Sequence, residues 1–294
     1  MYNKTIIPIL CFSLFIVIMG RRGNMADELV HSNEQGIDIA ETSLRISREF
    51  NPKLDIDNYS EQVSMYARRI RQLIGDSEDA DREIEVLNRV LFYEARFTYD
   101  ESAVGNPFVA PLEEFLESRK STCLNLAILY LAVAQRAEIP LAGIVLPSHI
   151  IVQSLKNGKF IDPSVNGKYV NPNYYIQEYA IKLNAVKNGT YFRILTNKEL
   201  SATLLASASN RYMTNGDYFK AFEYAQKSIM VNYECPVCWD AVMRSAQAVS
   251  IMTHDATSIN AYDLAVYAKK RLGDIYSTDK EEMPIWKSWK NPKR

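Results

Sequence analysis

Arg119-Lys120-Ser121-Thr122-Cys123-Leu124-Asn125-Leu126-Ala127-Ile128-Leu129-Tyr130-Leu131-Ala132 is the stretch on which the fold turns. From residue 124 to 137 the chain is apolar almost all round, so this helix has no solvent face and belongs at the centre of the molecule. Ser121 and Thr122 stand directly before Cys123, which places the thiol in the first turn. After Pro140 the hydrophobic period changes. Residues 143–146, 150–155 and 159–161 are short, β-branched or aromatic runs bounded by Pro147, Asn157-Gly158 and Pro163, the signature of a small antiparallel sheet.

Upstream, Ile37, Ala40 and Leu44, with Ile46 less regularly, mark one face of a helix that ends at Asn51-Pro52. Val63, Tyr66, Ile70 and Leu73 mark a second, and Ile84, Leu87, Val90 and Leu91 a third, introduced by the acidic run 76–85. Gly105, Pro107 and Pro111 make 99–111 a loop, followed by a short helix through Leu112, Phe115 and Leu116. Helices come first and strands afterwards, an α+β order. Beyond Thr196 the sequence is helical again. Gly216-Asp217-Tyr218 followed by Ala221, Tyr224, Ala225 and Ile229 fits the second half of a tetratricopeptide unit, and Leu205 and Trp239 lie 34 residues apart, the period of that repeat. Such helices bind partners or pack on the neighbouring unit, and both readings stand.

The chain has 294 residues, 47% of them hydrophobic, and a net charge of -1, so it is long enough for two globular pieces and has no bulk field for nucleic acid. The uncharged run 5–19, closed by Gly20-Arg21-Arg22, reads as a signal or membrane-anchor segment. It is short for a spanning helix and lacks a small-residue cleavage site. Cys11 lies inside that run, which argues against a lipidated cysteine. Translation from Met25 would instead give a cytoplasmic protein. The expected organisation is a signal or anchor segment at 1–24, an α+β unit at 34–195 and an all-helical tail at 196–290.

A thiol nucleophile needs its thiolate stabilised, and a helix amino terminus with a nearby imidazole does so. Of His31, His149 and His254, only His149 falls in the expected sheet, and Asp162 ends the next strand, placed to hold the imidazole in the useful tautomer. By residue type alone, a cysteine in an apolar helix reads equally as a packing group and an aspartate before proline as a turn former. Strand alternation adds a geometric condition. A two-residue turn at Asn157-Gly158 sets Gln153 opposite Asp162 and leaves His149 on the same face, about 13 Å along the strand. Bringing His149 opposite Asp162 needs a wider turn, and the wider turn is the expectation.

The 119–132 stretch, with Ile139-Pro140-Leu141-Ala142-Gly143, Leu146-Pro147-Ser148-His149, Phe160-Ile161-Asp162-Pro163 and the upstream Leu87-Asn88-Arg89-Val90-Leu91-Phe92, resembles the bacterial SirB family of transglutaminase-like proteins. The resemblance implies a papain-type cysteine fold with a tetratricopeptide-like tail, and aligns Cys123, His149 and Asp162 with the family's triad. Ser121 and Ser148 stand where that family often has glycine, and many members lack the cysteine. The function so implied is acyl transfer or amide hydrolysis on a protein or peptide, with no cofactor or metal. The alternative is a catalytically silent envelope-associated module that binds a partner through the cleft and the tail helices. Cys235-Pro236-Val237-Cys238 is open to three readings: half a metal site, a local disulfide, or packing.

Overall fold

The computed structural model describes residues 24–33, 36–103, 111–187, 189–253 and 256–276. The run 5–19, Cys11, His254 and the end of the tail beyond 276 lie outside the described residues.

Four amino-terminal helices open the fold: α1 (Met25–His31), α2 (Ile39–Arg48), α3 (Ile56–Ile74) and α4 (Ala80–Asn88). Asn24, Asp38, Asp55 and Asp79 cap them, each side chain accepting a backbone N–H of the first turn, which satisfies donors the helix itself cannot pair. The third expected helix is not uniform. It is α-helical to Asn88 and then continues as one wider π turn, Arg89–Glu94, whose spacing keeps three successive residues, Val90, Leu91 and Phe92, buried. Two-residue strands β1 (Thr98–Tyr99) and β2 (Lys120–Ser121) pair in parallel around α5 (Leu112–Ser118). They set Tyr99 beside Ser121.

The central helix α6 (Cys123–Arg136) is buried at every position from Asn125 to Ala134. Fully burying each of its leucine, isoleucine and valine side chains is worth about 1.5–3 kcal/mol. It packs on a five-stranded antiparallel sheet of β3 (Leu141–Leu146), β4 (His149–Ser154), β5 (Phe160–Asp162), β6 (Lys168–Val170) and β7 (Ile194–Leu195), in the order β6-β5-β4-β3-β7. Ile150, Val152 and Ile161 join the core around α6, whereas Ile144, Leu146 and Ile151 join a second cluster with Tyr175, Ile181 and Ala185. That outer face is covered by two helices for which the sequence offered no clear period, α7 (Pro172–Glu178) and α8 (Leu183–Lys187). The fold is therefore mostly helical α+β with a small antiparallel sheet.

The tail consists of α9 (Asn197–Thr214), α10 (Tyr218–Val231), α11 (Pro236–Met252) and α12 (Ala256–Tyr276), each packed on the next. Helix α9 is buried on two sides. Leu200, Leu204 and Leu205 join the core of α6, and Ala202 and Ala206 face the cluster around the fully buried Trp239. A Cβ on Gly143 would touch Leu200 and Leu131 at 3.3 and 3.4 Å, so this strand position is where α9 and α6 both close on the sheet. Helix α1 returns to α10 through Lys227, whose ammonium lies 2.7 Å from Asp27 and also pairs with Glu223. Among the described residues no helix is long and apolar enough to cross a membrane.

Candidate active site

Thr122 is the cap residue of α6, but its side chain makes no cap bond, and its buried Oγ1 has no partner among the described residues. Cys123 follows, partly exposed, at the positive end of the helix dipole. Ser121, buried beside it, accepts from Asn125 Nδ2 at 2.9 Å. Local hydrogen bonding thus holds the turn in front of the thiol.

The hairpin that carries His149 and Asp162 departs from the expected register. Ser154 N donates to Lys159 O at 3.0 Å and Gly158 N to Ser154 O at 2.9 Å, so the loop is four residues, 155–158. Val152 pairs with Ile161 and Gln153 with Phe160. The turn is wider than Asn-Gly alone suggests, yet not wide enough to set His149 opposite Asp162, which falls across from Ile151. The two groups are diagonal neighbours on one face, a separation of about 7–8 Å between backbones that long side chains span. They meet: His149 Nε2 lies 2.9 Å from Asp162 Oδ2, with the side chains only 10% and 4% exposed. The loop is set by a contact outside the hairpin. Asp81, in the first turn of α4, accepts from Asn157 Nδ2 and Lys159 Nζ, both at 2.9 Å, and holds the wider turn.

At the other end of β4, Pro147 and Ser148 form a two-residue turn between the paired Leu146 and His149. Ser148 has φ +54, the left-handed conformation that glycine adopts without steric cost. The serine that departs from the family pattern therefore occupies a backbone state suited to glycine.

The imidazole is held from several sides. Burial alone would lower its pKa, but hydrogen bonds to Asp162 and Cys123, together with their negative charge, outweigh that and raise it to about 10. A carboxylate only accepts, so Nε2–H donates to Asp162 and Nδ1 remains for the sulfur. Asp162 is itself pulled both ways. Burial raises its pKa, and bonds from His149, Ser164 and Tyr175 outweigh this and lower it. Its Oδ1 accepts from Ser164 N at 2.8 Å and Ser164 Oγ at 2.6 Å, and Tyr175 O–H donates to Oδ2 at 2.5 Å. Tyr175 and Tyr179 flank the ring, with centroids 5.6 and 6.2 Å from that of His149. Burial first, and then the charges of Cys123 and Asp162, raise the pKa values of Tyr99 and Tyr179.

The geometry thus pairs His149 with Asp162, electrostatics couples the imidazole to Cys123, and Tyr175, Tyr179, Tyr99 and Ser164 are added around them. The tyrosine pair at 175 and 179 has the i, i+4 spacing of one helical face, a signal present in the sequence. Cys235 and Cys238 lie elsewhere, as free thiols buried in the Trp239 cluster, and Cys238 Sγ approaches Ala202 O at 3.5 Å. Among the described residues no His, Cys, Asp and Glu group is arranged to hold a metal ion.

A cysteine opening a buried helix, packed on an antiparallel sheet that presents a histidine and an aspartate, defines a class of cysteine-site folds. Within it the chain belongs to the transglutaminase-like superfamily, whose family model matches residues 57–213, from α3 into the last turn of α9 and more than half of the sequence. It is 25% identical over 127 residues to UPF0162 proteins from two strains of Xylella fastidiosa, covering 43% of this chain and 45% of each relative. The match thus spans less than half the length of the Xylella relatives. A UPF0162 protein of Pseudomonas aeruginosa is 23% identical over 227 residues, covering 76% of this chain and 81% of that one. No solved structure matches.

Proposed function

We infer that the chain is a cysteine acyl-transfer enzyme of the SirB type, acting on amide or ester bonds of a protein or peptide. The Cys123 thiolate attacks the carbonyl carbon, with the N–H of Cys123 donating to the developing oxyanion. The tetrahedral intermediate collapses, the C–N or C–O bond breaks, and the leaving group takes its proton from the His149 imidazolium. His149 then removes a proton from water or an amine, which cleaves the thioester and restores the thiolate. Asp162 orients the ring throughout. The supporting observation is the buried pairing of His149 Nε2 with Asp162 Oδ2 at 2.9 Å, where the thiol of Cys123 also contributes to raising the imidazole pKa.

The test is chemical. Iodoacetamide should alkylate Cys123 at pH 6 within about threefold of the rate at pH 8, whereas an isolated thiol gains roughly seventyfold over that interval. An electrophilic acyl probe should label the natural chain, and neither Cys123→Ala nor His149→Ala. Ordinary thiol behaviour together with no labelling assigns the cleft to partner binding instead. The 34–195 and 196–290 division, the tetratricopeptide character of the tail and envelope attachment through 1–24 belong to the same proposal. Two successive helix pairs, α9 with α10 and α11 with α12, support the repeat reading, although Leu205 and Trp239, 34 residues apart, are the ninth residue of α9 and the fourth of α11.

A further inference from the structure

Asp162 is saturated as an acceptor: two donors of Ser164 occupy Oδ1, and His149 Nε2–H and Tyr175 O–H share Oδ2. Tyr175 does more than share an oxygen. Its ring lies 27° from coplanar with the imidazole at 5.6 Å, so one side chain fixes the carboxylate by hydrogen bonding and a face of the histidine by stacking. It is itself fixed, 5% exposed, within the cluster of Ile144, Leu146 and Ile151 on the outer face of the sheet. Tyr174 and Tyr179 pack against it, with centroids 5.2 and 6.1 Å away. The diagonal relation between His149 and Asp162 explains why such support is needed. Directly opposed strand residues are aligned by the ladder, but a diagonal pair leaves the histidine a choice of rotamers that the backbone does not make.

We propose that Tyr175 is a positioning residue for the site, holding Asp162 Oδ2 and the imidazole face together so that Nε2–H stays on the carboxylate and Nδ1 stays toward Cys123. This rests on the acyl-transfer reading for its catalytic meaning, but its physical content is the orientation of one ring. The groups facing that ring are Asp162 on β5, Cys123 on α6, and Tyr175 and Tyr179 at α7 and its end. Tyr99 on β1 stands near Cys123 and Asp162. Of these, Tyr175 alone both bonds the carboxylate and stacks on the ring.

Two substitutions separate the two contacts. Tyr175→Phe keeps the stack and removes the hydrogen bond; Tyr175→Leu removes both. In nitrogen-15 spectra of the full chain, the His149 Nε2–H should exchange slowly with solvent. It should exchange about threefold to tenfold faster in Tyr175→Phe, and its signal should be lost in Tyr175→Leu. The backbone amides of Ile151 and Val152, in the same strand, should keep their natural exchange rates, which a merely structural role would not permit. Alkylation of Cys123 at pH 6, relative to pH 8, should fall about tenfold in Tyr175→Leu and within about threefold in Tyr175→Phe. A slow Nε2–H surviving in Tyr175→Leu overturns the proposal. If that variant does not fold, unchanged exchange in Tyr175→Phe overturns it equally. Failure of the enzymatic reading looks different: the natural chain then keeps a slow Nε2–H while its alkylation follows an isolated thiol.

Discussion

Replacing Gly167 by alanine should cost about 2–4 kcal/mol, and most of that cost should disappear when Asn88 is also shortened. Gly167 has φ +69, and a Cβ there would stand 1.8 Å from Asn88 Oδ1 and 2.5 Å from its Cγ. The amide cannot swing aside freely. Its Nδ2 donates to Gly167 O at 2.8 Å, and its Oδ1 accepts from Tyr130 O–H at 2.8 Å, with Tyr130 fully buried in α6. A left-handed alanine costs about 1–2 kcal/mol, reduced by about 0.4–1 kcal/mol because the unfolded chain loses freedom. Stranding a buried tyrosine hydroxyl adds about 1–3 kcal/mol. Gly167 N also donates to Asp162 O at 3.0 Å, so the same damage reaches the carboxylate beside His149. Urea unfolding of the natural chain, Gly167→Ala, Asn88→Ala and the double variant measures the coupling. In the Asn88→Ala background Gly167→Ala should cost only the backbone part, about 1 kcal/mol. Additive costs in the four-way cycle would refute the clash and leave only backbone strain.

Two further substitutions probe charge. His149 has a folded pKa raised to about 10 against an ordinary value of 6.5, so its protonated form stabilises the fold fully below pH 6.5 and that contribution is lost as pH rises toward 10. The stability advantage of the natural chain over His149→Gln in urea should therefore be greatest near pH 6 and shrink steadily by pH 9.5; parallel pH curves would contradict it. Asp162 behaves with the opposite sign, its lowered pKa giving a contribution complete above the usual carboxylate range and lost as acid reaches the folded value. Lys227, 3% exposed by side chain, lies between Asp27 and Glu223. Because both acids remain partly solvated, Lys227→Met should cost about 1–3 kcal/mol and expose the α1 to α10 contact to limited proteolysis; unchanged cleavage there would refute the latch.

What could be read from the sequence follows from how local each signal was. The all-round apolarity of 124–137 marks a central helix because no other placement satisfies such a segment, and the period change after Pro140 marks the sheet. Asn157-Gly158 misleads because a turn preference worth a fraction of a kcal/mol gives way to three polar groups converging on Asp81 from 76 or more residues away. The paired Thr98–Tyr99 and Lys120–Ser121 are too short to show a period. The tyrosines of α7 show their common face in the sequence, but not which surface that face meets. That surface is fixed by strand alternation on β4 and β5, and only the register of the hairpin decides it.

The adjustable part of the site lies on its strand side. Helix α6 is enclosed by the sheet, α3 and the amino-terminal helices, and close-packed interiors resist small displacements, so the position of Cys123 is set by the core. His149 and Asp162 are set instead by β4, β5 and the α7 face, elements that end in a loop pinned through Asp81 on one side and a strained Ser148 turn on the other. Substitutions that change the reactivity of Cys123 while sparing stability should therefore concentrate at 147–162 and 172–179, away from the helix that carries the sulfur. Core changes in α6 should lower stability first and reactivity only through it. On the acyl-transfer reading, reactivity is therefore set from the strand side of the site, where a one-step change of register would turn His149 and Asp162 to opposite faces.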